Sequence, residues 1–99
     1  MNEDMERQIL GTMLYDAKVI PDVSEILDTS AFTTHANKLI YNAITDCYEK
    51  YGSCDVMLCA TELDSNLNRA GGAVELHDMQ ASIVESVNID YYVSELKEV

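Results

Sequence analysis

Residues 33–53 read TTHANKLIYNAITDCYEKYGS, and this stretch decides the fold. Ala36, Leu39, Ile40, Ala43, Ile44, Cys47, Tyr48 and Tyr51 recur at steps of three and four, which places them on one wide face of a helix. Thr33 or Thr34 offers a hydroxyl that can accept from the orphan N–H groups of the first turn. Gly52-Ser53 stops the pattern, because glycine enters the left-handed conformation at little cost. The spacing predicts the central helix of the chain.

Working outward, the same period recurs on both sides. Met5, Ile9 and Met13, with Leu10 and Leu14 beside them, predict a first amphipathic helix over residues 4–15. Gly11 lies inside it at a cost of about 1 kcal/mol against Ala, which signals close packing against another backbone. A short second helix is expected over about 17–27, with Ile20, Val23, Ile26 and Leu27 inward. Pro21 is tolerated only in a first turn, so this helix starts near Val19 or Ile20. Asp28-Thr29-Ser30 breaks the pattern, and Phe32 is expected to plug the core from the connector.

Downstream, Asp55 caps a fourth helix carrying Val56, Cys59, Ala60, Leu63 and Leu67. Asn68 to Gly72 is a turn whose glycines permit positive φ or close backbone approach. A fifth helix is expected over about 73–84, with Val74, Leu76, Met79 and Ile83 inward. Asn88 caps a sixth carrying Ile89, Tyr92, Val93 and Leu96. No alternating run with hairpin signals occurs, so no sheet is assigned. The expectation is an all-α fold, a compact orthogonal bundle of about six helices, forming a single domain over residues 1–99.

Composition narrows function. Eighteen acidic residues against six basic ones give a net charge of −12. Nucleic acid is bound by Lys and Arg displacing counterions from phosphates, so direct binding by these residues is not expected. The acids are dispersed from Glu3 to Glu98, as on a solvated surface; the sharper alternative is an acidic face that meets a basic partner. No segment approaches the ~20 apolar residues of a membrane span, and Met1-Asn2-Glu3-Asp4 lacks a signal peptide's basic start, so a cytoplasmic protein with no membrane partner is expected.

The search for chemistry finds no assembled motif. Cys47, Cys54 and Cys59 are odd in number and lack CxxC spacing, and read as free core thiols rather than a disulfide or zinc set. His35 and His77 have no metal-pairing neighbour at i+3 or i+4. Glu62 and Asp64 flank Leu63, while Glu75 and Asp78 share a helix face as solvated acids commonly do. Gly71-Gly72 is followed by Ala73-Val74, not by the Lys-Ser or Lys-Thr of a phosphate loop. No catalytic, cofactor-binding or metal residue is therefore assigned, and a small enzyme has no positive support. Met57 and Tyr91, each beside an apolar stripe, are the candidate partner-interface residues.

The ordered segments resemble the N-terminal domain of bacterial DnaB-type replicative DNA helicases along essentially the whole chain. Asp4-Met5-Glu6-Arg7-Gln8-Ile9-Leu10-Gly11 is similar to the family's Glu-x-Glu-x-x-Val-Leu-Gly helix. Ala31-Phe32-Thr33 resembles its Asp-Phe-Tyr connector, and Asn37-Lys38-Leu39-Ile40-Tyr41 its His-Arg-x-Ile-Phe or Ile-Tyr element. Tyr51-Gly52-Ser53-Cys54-Asp55 resembles a Gly-x-Pro-Ile-Asp loop, and Gly71-Gly72 with Leu76 and Met79 a Gly-Gly-x-x-x-Leu-x-x-Leu run. Asn88-Ile89-Asp90-Tyr91-Tyr92 is similar to the Asn-Ile-x-x-Tyr start of the last helix. Asn37, Cys54 and Ala31 depart from the family's usual His, apolar residue and Asp.

The resemblance implies a non-catalytic collar domain of a hexameric ring, which packs subunits together and helps to recruit primase or a helicase loader within a primosome. It implies no cofactor in this chain, with ATP and magnesium confined to a separate C-terminal ATPase domain of a parent helicase. The family's following helical hairpin would begin where this chain ends, at Lys97-Glu98-Val99, so a monomer or weak dimer is expected in isolation. The alternative is a free-standing phage- or plasmid-type interaction protein that mimics the helicase collar.

Overall fold

In the computed structural model, which describes residues 2–83 and 88–98, Thr34 and Gly52 bound the central helix. Among the described residues there are six α-helices: α1 (Asn2–Tyr15), α2 (Ile20–Ile26), α3 (His35–Tyr51), α4 (Val56–Leu63), α5 (Gly72–Ala81) and α6 (Ile89–Glu98). Single 3-10 turns at Ala17–Val19, Thr29–Ala31 and Asp64–Asn66 join or extend them. The all-α bundle read from periodicity is the fold observed.

The helix ends follow local chemistry. Thr34, not Thr33, caps α3 by accepting from the Asn37 N–H at 3.0 Å. Asp55 caps α4 through the Leu58 N–H at 2.8 Å, and Asn88 caps α6 through the Tyr91 N–H at 3.1 Å. Gly52 closes α3 at φ 70°, its N–H donating to the Tyr48 carbonyl at 2.8 Å. Pro21 sits in the first turn of α2, where its missing N–H costs nothing. Gly71 and Gly72 enter α5 at φ 106° and 80°.

The helices pack around α1 and α3. α1 lies against α3, α5 and α6, and α3 against α2 and α4, while α5 also meets α4. The core holds Ile9, Leu10, Met13 and Leu14 of α1 with Ile40, Ile44 and Cys47 of α3. Leu76 and Met79 of α5 join it, with Val93 and Leu96 of α6. Phe32 is fully buried, its ring centroid 4.6 Å from that of Tyr41. The radius of gyration is 11.9 Å, close to the ~13 Å typical of a folded chain of this length.

Several expected core positions are corrected. Val74 is 71% exposed. At about 100° per residue it lies nearly opposite Leu76, the side chain that α5 buries. Tyr51 is exposed because it is the last residue of α3, past the neighbouring helices. Ile26 is 43% exposed at the end of α2 and faces a groove rather than the core. α4 stops at Leu63, short of Leu67, because Asp64 turns to positive φ at 51°. α5 stops at Ala81, and its expected end at Val84 falls outside the described residues. The periodicity missed Glu6, Asn37, Tyr41 and Ala70, all buried.

Candidate interaction surface

The residues that define the sequence pattern are architectural. Glu6 is fully buried, and its carboxylate accepts from the Thr33 N–H at 3.1 Å and the Thr33 hydroxyl at 2.9 Å. It accepts again from the Asn37 side-chain amide at 2.8 Å. These donors cluster at the N-terminal end of α3, where the helix dipole also favours an anion. Asn37, standing where the resemblance leads one to expect His, supplies a side-chain N–H as His would. Gly11 is the contact point between α1 and α5. A Cβ there would lie 2.3 Å from the Met79 carbonyl oxygen and 2.7 Å from Ile83 Cγ2.

The cysteines are free and buried. Burial pushes the Cys47 thiol up to about 12. The Cys54 thiol is raised too, first by its hydrogen bond with Cys59 and then by burial. Both stay protonated at neutral pH and are poor nucleophiles. His35 and His77 are exposed. Glu75 pairs with Arg7 at 2.6 Å, and Glu62 with Lys50 at 2.8 Å, so these acids serve α1–α5 and α3–α4 contacts. Among the described residues no group of three or more His, Cys, Asp and Glu side chains is placed to hold a metal ion.

The surface that remains is apolar in places. Met57 is 78% exposed on α4 and Tyr91 is 55% exposed on α6, its ring 5.8 Å from that of Tyr92. The two candidates belong to different parts of the molecule, since α4 packs on α3 and α5 while α6 packs on α1 and α2. They do not form one patch. Between α2 and α6 runs a groove floored by Val23 and Val93 and walled by Val19, Ile26 and Ile89, with Asp22 and Asp90 on its sides. Sequence reasoning missed this groove because it took Ile26 for a core residue. No helix among the described residues is long and apolar enough to cross a membrane.

A six-helix bundle entered through a Glu-anchored connector and a Gly-mediated helix crossing has known counterparts. The profile of the family described as the DnaB-like helicase N terminal domain matches residues 1–98. The chain belongs to that family. It is 36% identical over 89 residues to the replicative DNA helicase DnaB of Mycobacterium leprae, an overlap of 88% of this chain and 15% of that protein. It is 35% identical over 91 residues to the DnaB of Nostoc sp., covering 90% of this chain and 10% of the relative. Its backbone superposes on the crystal structure of the N-terminal domain of DnaB helicase from Mycobacterium tuberculosis with a TM-score of 0.86. That match has 35% identity and covers 95% of this chain and 67% of the other.

Proposed function

We propose that this chain is the non-catalytic N-terminal collar domain of a replicative DNA helicase, holding ring subunits together and docking primase or another replication protein. The observation that carries the reading is the continuous match to the helicase N-terminal domain across residues 1–98. In this reading the parent protein is cytoplasmic, and its ATP, magnesium and DNA contacts belong to a separate ATPase domain. The chain's own charge of −12 suits a protein partner better than DNA.

The test is a calorimetric titration of this chain with primase and with helicase from the same cell. Saturable binding to either, with no ATP hydrolysis and no shift of single-stranded DNA by the chain alone, is the expected result. Failure to bind both proteins, or tight DNA binding at physiological salt, overturns the assignment.

A further inference from the structure

The α2/α6 groove deepens that reading by giving the docking function a place and a chemistry. Its floor is apolar, and one wall of each side ends in a carboxylate: Asp22 from α2 and Asp90 from α6, both exposed. Ile26 and Ile89 stand partly open above the floor. We propose that the groove takes one face of a basic amphipathic helix from a partner protein, its apolar residues seated between Ile26 and Ile89 and its Lys or Arg residues against Asp22 and Asp90.

Four observations select that occupant. The groove lies between two helices, so the recognition mode it fits is a helix laid into a groove by anchors at i, i+3, i+4 and i+7. The groove wall from Val19 to Ile26 runs for eight residues, roughly 10 Å of helix at 1.5 Å per residue, which is the span of anchors from i to i+7. A second copy of the chain is disfavoured, because it would set acidic rims against each other in a molecule of net charge −12. Of the chain's six cations, Arg7, Lys38, Lys50, Arg69 and Lys97 each donate to a group of the chain itself, Lys97 to the Ile26 carbonyl, while the exposed Lys18 is not part of the groove lining. The groove lining holds Asp22 and Asp90 and no Lys or Arg, so the charge that complements it is supplied by a basic partner.

The proposal rests on the chain being a docking domain, and its test can fail separately from that reading. The probe is a synthetic amphipathic peptide with Leu at the four anchor positions and Lys at the flanking ones, beside a control in which every Lys is Glu. Binding to the isotopically labelled chain is followed by amide shifts and by fluorescence anisotropy. The Lys peptide should shift residues 19–26 and 89–93 selectively, and the Glu peptide should not bind. Ile26→Asp should weaken binding at least tenfold, and Asp22→Asn with Asp90→Asn about three- to tenfold at low salt, with the loss shrinking as salt rises. All three positions are exposed, so an unchanged circular dichroism spectrum is expected for the variants.

No binding by the Lys peptide, shifts scattered over the acidic surface, or indifference to Ile26→Asp overturns the proposal. Concentration-dependent shifts at 19–26 and 89–93 without peptide would hand the groove to a second copy and overturn it too. Primase or helicase binding that survives Ile26→Asp sinks the groove while leaving the collar reading in place.

Discussion

Glu6 and Gly11 lie on one helix, and each commits that helix to a different neighbour. Glu6 reaches the connector before α3 by accepting from Thr33 and Asn37. Replacing it with Ala strands the buried Asn37 amide and the Thr33 N–H, at about 2–3 kcal/mol by the desolvation cost of unmet donors. Glu6→Gln keeps an acceptor oxygen and should lose less than half as much; urea midpoints of the two variants check the order. Gly11→Ala is instructive because helix propensity favours it by about 1 kcal/mol. The added methyl meets the Met79 backbone oxygen at 2.3 Å, which cannot rotate away. The variant should therefore be destabilised by about 1–3 kcal/mol, as overpacked sites are. A raised urea midpoint would contradict the α1–α5 contact.

At the level of the element, α3 can be probed at both ends without touching the core. Thr34→Ala removes the hydroxyl that accepts the Asn37 N–H and should cost about 1 kcal/mol. Gly52→Ala meets no atom within 4 Å, so its cost is the backbone alone. A Cβ at φ 70° costs about 1–2 kcal/mol in the left-handed region. The two ends are far apart and share no partner, so the double variant should show the sum of the two losses. Thermal melts of the three variants measure this; a large departure from additivity would mean that α3 does not unfold with the rest of the bundle.

For the molecule as a whole, pH stability follows from groups that the fold holds protonated. Burial pushes the Tyr41 hydroxyl up to about 12 from its ordinary 10.0, with Asp28 adding to the effect. Burial also raises the Cys47 thiol from 9.0 to about 12. Both folded values exceed the unfolded ones, so the stability linked to them is complete below about pH 9 and drains away as pH rises toward 12. On the acid side the sign reverses. Hydrogen bonds from Ser30 hold the Asp28 carboxyl below 3.8, so its contribution is present above that pH and is lost as pH falls through the lowered value. The part of the tyrosinate absorbance that Tyr41→Phe removes should therefore appear together with the circular dichroism change above pH 10. Ionisation of Tyr41 at its ordinary value with the fold intact would contradict its donation to the Leu27 carbonyl at 2.7 Å.

The order of helices, their caps and most of the core were legible in the sequence, because helical period, capping and glycine punctuation are local properties. Spacing alone points Ile9, Ile44, Leu76 and Leu96 inward, and all four are buried; a glycine inside a helical pattern signals a close contact, and Gly11 makes one with α5. The resemblance to helicase N-terminal domains rested on the same caps, turns and core positions. What spacing could not decide was which faces acquire a neighbour. Val74, Ile26 and Tyr51 are apolar and helical yet exposed, since burial depends on where another helix stops. Nothing in the helical spacing points Glu6 and Asn37 inward; folding brings them within hydrogen-bond distance across 31 positions of chain. The α2/α6 groove is likewise a product of tertiary structure: its two acids are 68 residues apart in sequence and line one cleft only because α1 and α3 hold both helices in place.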